Sequence, residues 1–304
     1  MKRLLDCTAS DFSRMTGQDV KRAIKASEGR VLVAEVISSV SPLYPSVTNA
    51  ELAAAFGADM ILLNLFDVFQ PHVEGLTAAP DETVHELKRL IGRPVGLNLE
   101  PVDPQARAAE QLLPLPPGRL ASAETFVEAK RLGFDFLCLT GNPKTGVTNR
   151  EIRQAIRTAR EVMGKDALIM AGKMHGAGVA DEAGGNLIEE QTIVQFIEAG
   201  ADIILLPSPG TIPGITLDAA KSMVDLAHRH GALALLATGT SQEGADEATI
   251  RQIALNSKMA GADLYHIGDA GYNGIAIPEN IMHYSIAVRG KRHTYVRMAA
   301  SVLR

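Results

Sequence analysis

The sequence of 304 residues contains no tryptophan, two cysteines and few aromatic residues, which make up 4% of the chain. This shortage of rings leaves little from which to build a surface that stacks sugars or nucleic-acid bases. Cys7 and Cys138 form no Cys-x-x-Cys motif, so neither a disulfide framework nor a structural zinc site is expected.

The chain also lacks a basic excess and a long apolar run. Its formal net charge is −5 at pH 7, so no broad positive field exists to gather nucleic-acid phosphates. No uncharged stretch approaches the roughly 18–20 residues needed to cross a bilayer, and the N-terminal segment does not resemble a secretory signal. With 46% hydrophobic residues, the composition predicts a cytoplasmic globular protein that binds neither nucleic acid nor membrane.

One unit recurs four times: a helical stretch ends at Gly-x-Asp and an apolar run follows. The instances are "FGADMILLNLFD" (56–67), "LGFDFLCLTG" (132–141), "AGADIILLPS" (199–208) and "AGADLYHIGD" (260–269). Four more apolar runs alternate with them, and nearly continuous runs of this kind are typical of strands covered on both faces. The predicted strands span about 31–37, 59–67, 94–101, 134–140, 167–173, 202–207, 232–238 and 263–268.

Stretches with apolar residues at three- and four-residue intervals separate these strands and predict helices. Strict alternation implies parallel strands joined by right-handed crossovers. Eight such units in about 250 residues favour an α/β fold with a single closed (β/α)8 barrel over 1–304, and an open doubly wound sheet is the alternative. An extra N-terminal helix is expected within 16–27, beneath the barrel, and a long loop over 102–120 after strand 3.

Polar residues concentrate at the predicted carboxyl ends of the strands, where barrels of this type place their active sites. The candidate substrate-binding residues are Asn64, Asn98, Thr140, Asn142, Lys144, Ser208, Thr238, Gly239, Thr240, His266, Gly268, Asp269 and Gly271. The glycine-rich loops 237–244 and 267–274 follow strands 7 and 8, the frequent phosphate-binding position of the fold. They predict a small anionic substrate, and a phosphate group would suit them.

The stretch "AGKMHGAG" (171–178) places Lys173 and His175 at the end of strand 5. We assign Glu35 and Lys173 to the inner face of the barrel, where they would meet at its mouth. A lysine among apolar neighbours loses its proton more readily, as a Schiff-base nucleophile requires. The sequence therefore predicts Lys173 as the central amine and Glu35, Glu100 and His175 as proton carriers. The alternative is a buried Glu35–Lys173 ion pair without a chemical role.

Carboxylates at the same strand ends leave a metal site as an alternative. Asp67, Glu100, Asp103 and Asp269 offer oxygen ligands of the kind that Mg²⁺ prefers. No fixed spacing marks such a site, so the leading prediction contains neither a metal nor another cofactor. The glycine-rich segment 175–186 could close over a ligand as a lid.

The eight-unit pattern over about residues 30–290 resembles the (β/α)8 barrels of class I aldolases, sugar-phosphate isomerases and the phosphoenolpyruvate mutase/isocitrate lyase group. The resemblance implies a lyase or isomerase acting on a small carbonyl compound. The last of these groups implies, as an alternative, a Mg²⁺-dependent enzyme that breaks C–C or C–P bonds. A barrel that binds a metabolite without turnover is a further alternative. The C-terminal segment 288–304 mixes basic and apolar residues and favours a homo-oligomer contact.

Overall fold

The computed structural model describes residues 2–304 and confirms a closed barrel of eight parallel strands with helices between them. The strands are Val31–Ile37 (β1), Met60–Asn64 (β2), Val95–Leu99 (β3), Phe136–Leu139 (β4), Leu168–Gly172 (β5), Ile203–Pro207 (β6), Leu233–Thr238 (β7) and Leu264–Ile267 (β8). The helices are Ala9–Phe12 (α1), Gly17–Lys25 (α2), Asn49–Ala55 (α3), Thr83–Ile91 (α4), Ala123–Leu132 (α5), Asn149–Met163 (α6), Glu190–Ala199 (α7), Leu217–Arg229 (α8), Glu247–Met259 (α9) and Pro278–Ala299 (α10).

Each strand lies within its predicted range and pairs with its neighbours in chain order. The alternative of an open sheet is wrong, because β1 pairs with both β2 and β8 and leaves no edge. None of the helices within residues 2–304 has the length and apolar character that crossing a membrane requires.

Side chains alternate between two hydrophobic layers. Val33 and Met170 belong to the inner layer, which fills the barrel, whereas Leu32 and Ala171 belong to the outer layer between the strands and the helices. The predicted N-terminal helix is confirmed as α2, whose buried residues join the inner layer and close the floor of the barrel.

The Gly-x-Asp repeat organises the floor. Each aspartate precedes an even-numbered strand and accepts a backbone N–H at the start of the strand before it: Asp59 from Leu32 (2.8 Å), Asp135 from Val95 (2.8 Å), Asp202 from Ile169 (3.0 Å) and Asp263 from Ala234 (2.9 Å). Each carboxylate also lies within 2.7 Å of a basic side chain, in order Arg297, Lys88, Arg160 and His228. The repeat therefore ties neighbouring strands together at the end opposite the expected site.

Asp59 holds the C-terminal helix to this floor. Its carboxylate lies 2.5 Å from Arg289 and 2.7 Å from Arg297, and all three side chains are buried. The chain turns at Gly290 (φ 76°), within α10, between these two arginines. Two of the basic residues of the segment 288–304 therefore lie inside the protein.

The buried floor cluster predicts that Asp59→Asn lowers the free energy of unfolding by about 3–5 kcal/mol, because both arginines lose their shared carboxylate while they stay buried. Chemical denaturation measures the change. Asp225→Asn is the matched control: Asp225 pairs with Lys221 on the exposed face of α8, and its loss is expected to cost no more than about 1 kcal/mol. Equal losses in the two variants would contradict this role for Asp59.

Candidate active site

A cavity of about 440 Å³ opens at the carboxyl ends of the strands. Its polar lining includes Glu35, Asn64, Asn98, Thr140, Asn142, His175, Thr240, Glu243 and Asp269. The loops after β3 and β5 cover one side, where Ala108 and Val179 form an antiparallel bridge. Segments far apart in the chain thus enclose one polar space at the end of the barrel where the fold places active sites.

Glu35 and His266 form a buried pair at this rim. Parallel pairing of β1 and β8 aligns Val33 with His266, and Glu35 lies two residues further along β1 on the same inner face. Glu35 Oε2 lies 2.9 Å from His266 Nε2, and the residues are 5% and 0% exposed. Glu35 lines the cavity with His266 beside it, while the other ring nitrogen of His266, Nδ1, has no hydrogen-bond partner within residues 2–304.

Three asparagines from β2, β3 and the loop after β4 form an amide cluster. Asn64 and Asn142 exchange hydrogen bonds of 2.7 and 2.9 Å, and Asn98 donates to Asn64 Oδ1 at 3.0 Å. Asn64 also donates to Asp269 Oδ2 at 2.9 Å. The cluster holds rigid amide groups against the cavity and connects them to the carboxyl group of Asp269.

Asp269 and Glu243 bring two further carboxyl groups to the cavity. Burial, and then the nearby Glu35 carboxylate, raise the pKa of Asp269 to about 7. Burial also raises the pKa of Glu243, whose Oε1 accepts a hydrogen bond from the Ala270 N–H at 3.0 Å. A carboxyl group with a pKa near 7 exists in both protonation states at neutral pH, as general acid–base chemistry requires.

Strained backbone is concentrated in the rim loops. Six residues other than glycine have positive φ in the described part of the chain (2–304), and five of them follow β2, β4, β5 or β7: Leu65, Lys144, Ala177, Thr240 and Ser241. Left-handed backbone disfavours side chains with a Cβ and persists where the surrounding structure demands it. Thr240 and Ser241 shape the turn that carries Glu243 into the cavity.

Lys173 does not meet Glu35, so the predicted pairing is wrong. Its neighbours Ile169 and Ala171 belong to the outer layer, and Lys173, which directly follows the last residue of β5, is absent from the residues that line the cavity. Its ammonium group lies 2.6 Å from Glu182, which also accepts the backbone N–H of Asn149, the first residue of α6. Burial lowers the pKa of Lys173. The lysine therefore anchors the segment 175–186 to α6 and does not line the cavity.

His175 does line the cavity, and its ring accepts the Ala177 N–H at 3.1 Å. Burial lowers the pKa of His175 to about 4, so the ring is neutral at pH 7. Glu100 lies outside the cavity lining, where Oε1 binds Arg119 at 2.5 Å and Oε2 accepts the Asn142 N–H at 3.0 Å. Glu100 thus supports the amide cluster from behind.

The alternative Mg²⁺ ligands are separated in the structure. Asp67 accepts the Phe69 N–H, and Asp103 binds Thr148 and Arg150 at the start of α6. With Glu100 held by Arg119, Asp269 is the one member of the set that faces the cavity. No group of three or more His, Cys, Asp or Glu residues within 2–304 has an arrangement that could hold a metal ion. The residues present do not fit the predicted site.

The remaining candidates divide into two sets. The residues that line the cavity are Asn64, Asn98, Thr140, Asn142, Gly239, Thr240, Gly268 and Asp269. Those that lie outside the lining are Lys144, Ser208, Thr238, His266 and Gly271. Ser208 and Thr238 are buried in contact with each other, and Ser208 also binds Ser257 of α9. Lys144 is exposed and pairs with Glu110 at 3.4 Å.

Glu243 was missed by the sequence analysis, although it lies within the quoted loop 237–244. The structure shows that Gly268 makes room for it, because a Cβ at that position would lie 2.9 Å from Glu243 Oε1, and no sequence pattern marks this contact. Gly271 instead allows a tight turn, since a Cβ there would lie 2.5 Å from the Ile277 backbone nitrogen. The two glycine-rich loops therefore make room for the Glu243 carboxylate and for a tight turn. They bring the carboxyl groups of Glu243 and Asp269 to the position where the sequence predicted a phosphate.

Comparison with solved structures reproduces the fold. The complete pyruvate carboxylase of Rhizobium etli superposes with a TM-score of 0.54 at 14% identity, over 95% of this chain and 30% of that one. The carboxyl transferase domain of the same enzyme, solved with pyruvate, gives a TM-score of 0.54 at 12% identity, over 98% of this chain and 52% of that one. The chain thus spans about a third to a half of these proteins, and identities this low establish the barrel alone.

Comparison of this sequence with protein-family models identifies a family, but the description of that family names no activity. A protein-family model described as "Domain of unknown function (DUF7916)" matches residues 5–304. A search of curated proteins finds no match to the sequence.

The contacts of Lys173 predict that borohydride, added with dihydroxyacetone or with pyruvate, leaves no adduct on this residue, because its ammonium group is paired with Glu182 outside the cavity. Mass spectrometry of the digested protein checks this. Lys173→Met is expected to lower the free energy of unfolding by about 3 kcal/mol, since Glu182 loses its partner. The exposed Lys165→Met serves as the control, with little expected change. A reduced adduct on Lys173 would restore the Schiff-base prediction.

The raised pKa of Asp269 predicts a change of stability with pH. A carboxyl group with a raised folded-state pKa stabilises the fold fully below its unfolded pKa of about 4, and this stabilisation is lost as pH rises towards 7. Asn cannot ionise, so its free energy of unfolding does not fall in this way. The free energy of unfolding of Asp269→Asn minus that of the native protein is therefore expected to increase by about 4 kcal/mol between pH 4 and pH 8. Denaturation across this range measures it, with the exposed Asp166→Asn as control. A constant difference between native protein and Asp269→Asn would exclude the raised pKa.

Proposed function

The chain belongs to the DUF7916 family, whose model spans residues 5–304, and we propose that this member is an enzyme, a lyase or isomerase that moves protons on a small hydroxylated carbonyl compound. The observation that carries the proposal is the buried contact of 2.9 Å between Glu35 and His266 at the edge of an amide-lined cavity. Burying a carboxylate and an imidazole together is costly unless they are paired, and this pair adjoins a space for a ligand.

Glu35 is the base in this mechanism because its carboxylate lines the cavity. It removes a proton from the carbon next to the substrate carbonyl group, and the electrons of that C–H bond move to form the enediol. His266 is a positioning residue: its Nε2 contact orients the Glu35 carboxylate and stabilises its charge.

Asp269 is the acid. In its neutral form it donates a proton to the carbonyl oxygen as the C–H bond breaks, which gives the enediol and leaves Asp269 as a carboxylate. Near pH 7 this carboxylate can accept the proton of the other enediol hydroxyl. Asn64 and Asn142 supply fixed amide dipoles beside it for the substrate oxygens. Glu35 then returns its proton to the former carbonyl carbon while Asp269 takes the proton of the other hydroxyl, which completes an isomerisation and restores both groups. Removal of a hydroxyl proton by the same base would start an aldol-type cleavage.

This proposal differs from the sequence prediction in two respects. It gives Lys173 a structural role, since the ammonium group binds Glu182 and Lys173 does not line the cavity. It also no longer requires an anionic substrate, because the cavity lining within residues 2–304 includes four carboxyl groups and neither lysine nor arginine. The need for a carbonyl compound and the lyase or isomerase class are retained.

The acid–base mechanism predicts that the protein catalyses exchange of substrate C–H for deuterium in D₂O. Proton NMR follows this exchange with dihydroxyacetone, fructose and 1-amino-1-deoxyfructose as carbonyl probes. Glu35→Gln is expected to slow the exchange by roughly 10²- to 10⁴-fold, because the amide cannot accept the proton. His266→Asn lowers the rate less and changes its pH profile.

Glu247→Gln is the control for this experiment, since Glu247 is an exposed residue at the start of α9, outside the cavity. It is expected to exchange at the native rate. Absence of catalysed exchange with every carbonyl probe, or an unchanged rate in Glu35→Gln, would contradict the proposed function.

A further inference from the structure

The cavity presents negative and neutral groups to whatever enters it. Its lining carries the carboxyl groups of Glu35, Glu243, Asp269 and Glu110, of which Glu110 pairs with Lys144 at 3.4 Å, and it includes no lysine or arginine within residues 2–304. His175 adds no positive charge, because burial keeps its pKa near 4. An anionic ligand would meet repulsion here, whereas a cation would be attracted.

Three polar atoms in the lining have no hydrogen-bond partner among residues 2–304. They are Oε2 of Glu243, Oδ1 of Asn98 and Oγ1 of Thr140, and the three residues are 2%, 3% and 2% exposed. A buried acceptor left unpaired destabilises the folded protein, and a donor from a ligand removes this cost. The ionised carboxylate oxygen of Glu243 and the amide oxygen of Asn98 accept, and the Thr140 hydroxyl both donates and accepts, so a ligand that brings N–H or O–H groups satisfies all three.

Resting on the acid–base function proposed above, we propose that the substrate carries a protonated amine beside its hydroxyl groups, as an amino sugar or amino alcohol does, and that Glu243 binds the ammonium group. An ammonium has three donors and no acceptor, which complements the free oxygen of Glu243 and its acidic surroundings. Asn98 Oδ1 then accepts from a neighbouring hydroxyl or N–H group.

An organic cation fits this space better than a metal ion does. A metal needs several ligands at short distance, and residues 2–304 contain no group of three or more His, Cys, Asp or Glu arranged to hold one. A cavity of about 440 Å³ instead has room for a small organic molecule. Amide oxygens and a single free carboxylate oxygen are suited to the N–H and O–H groups of such a molecule.

The charge of the ligand can be detected by the number of protons that the protein releases or takes up when the ligand binds. Asp269 faces Glu35 of β1, Glu243 of the loop after β7, His266 of β8 and the amide of Asn64. A bound cation favours the ionised form of Asp269, so binding near pH 7 releases protons. A neutral ligand leaves this equilibrium nearly unchanged, and an anion causes proton uptake.

Three probes of similar size and different charge test the proposal: Tris (cationic at pH 7), 1,1,1-tris(hydroxymethyl)ethane (neutral) and 2,2-bis(hydroxymethyl)propionate (anionic). Calorimetric titration in two buffers of different ionisation enthalpy gives the dissociation constant and the protons released. We expect Tris to bind at least about tenfold more tightly than the neutral probe, and the anion to bind least. Tris binding is expected to release up to about 0.5 proton per site at pH 7.

Glu243→Gln is expected to raise the dissociation constant for Tris about tenfold and that for the neutral probe less than about twofold. Glu247→Gln, outside the cavity, leaves both constants unchanged. Equal or tighter binding of the neutral or anionic probe, tighter binding of Mg²⁺ or Mn²⁺ than of Tris, or no binding of Tris at tens of millimolar would overturn the proposal.

The comparison of the three probes uses the native protein alone, so a folding defect in Glu243→Gln would not affect its result. Its failure is also distinct from failure of the proposed function. Deuterium exchange on fructose together with no preference for Tris would leave the acid–base enzyme in place with an uncharged substrate. A preference for Tris without exchange on any carbonyl probe would instead leave a cation-binding barrel.

Discussion

The pairing of β1 with β8 closes the ring, and the candidate site depends on it. This pairing aligns Val33 with His266 and so brings Glu35 against an imidazole that lies 231 positions further along the chain. Parallel strands in a closed barrel all end at the same rim, so Asn64, the last residue of β2, and Asp269, which follows β8, reach the same space. Without this closure the four side chains would lie on separate surfaces.

Buried polar groups are paired at the floor of the barrel, whereas several at the rim have no partner among residues 2–304. At the floor, the carboxylates of Asp59 and Asp202 bind both backbone N–H groups and arginines, which stabilises the ring. At the rim, Glu243 and Asn98 keep free acceptor atoms, and the loops contain left-handed residues. Groups left unpaired in this way destabilise a fold, and they are retained where binding or catalysis needs them.

Local patterns were sufficient to predict the strands, the helices and the rim, because apolar runs and helix periodicity are properties of short segments. They could not place Lys173. The run "ALIMAGK" is apolar on both faces, so its composition does not mark which face is inner, and the observed alternation assigns Ile169 and Ala171 to the outer layer. The partner of Lys173, Glu182, comes from a loop whose path no periodic pattern describes.

The amino-acid sequence by itself determined that eight strands alternate with helices and that polar residues gather where those strands end, since both follow from hydrophobic periodicity along the chain. The tertiary structure alone decided which of these polar residues share a cavity. Strand stagger and loop path set that choice: they direct Glu35, Glu243 and Asp269 inward and turn Lys173 and Glu100 away. Contacts of this kind join distant segments, so no local pattern encodes them.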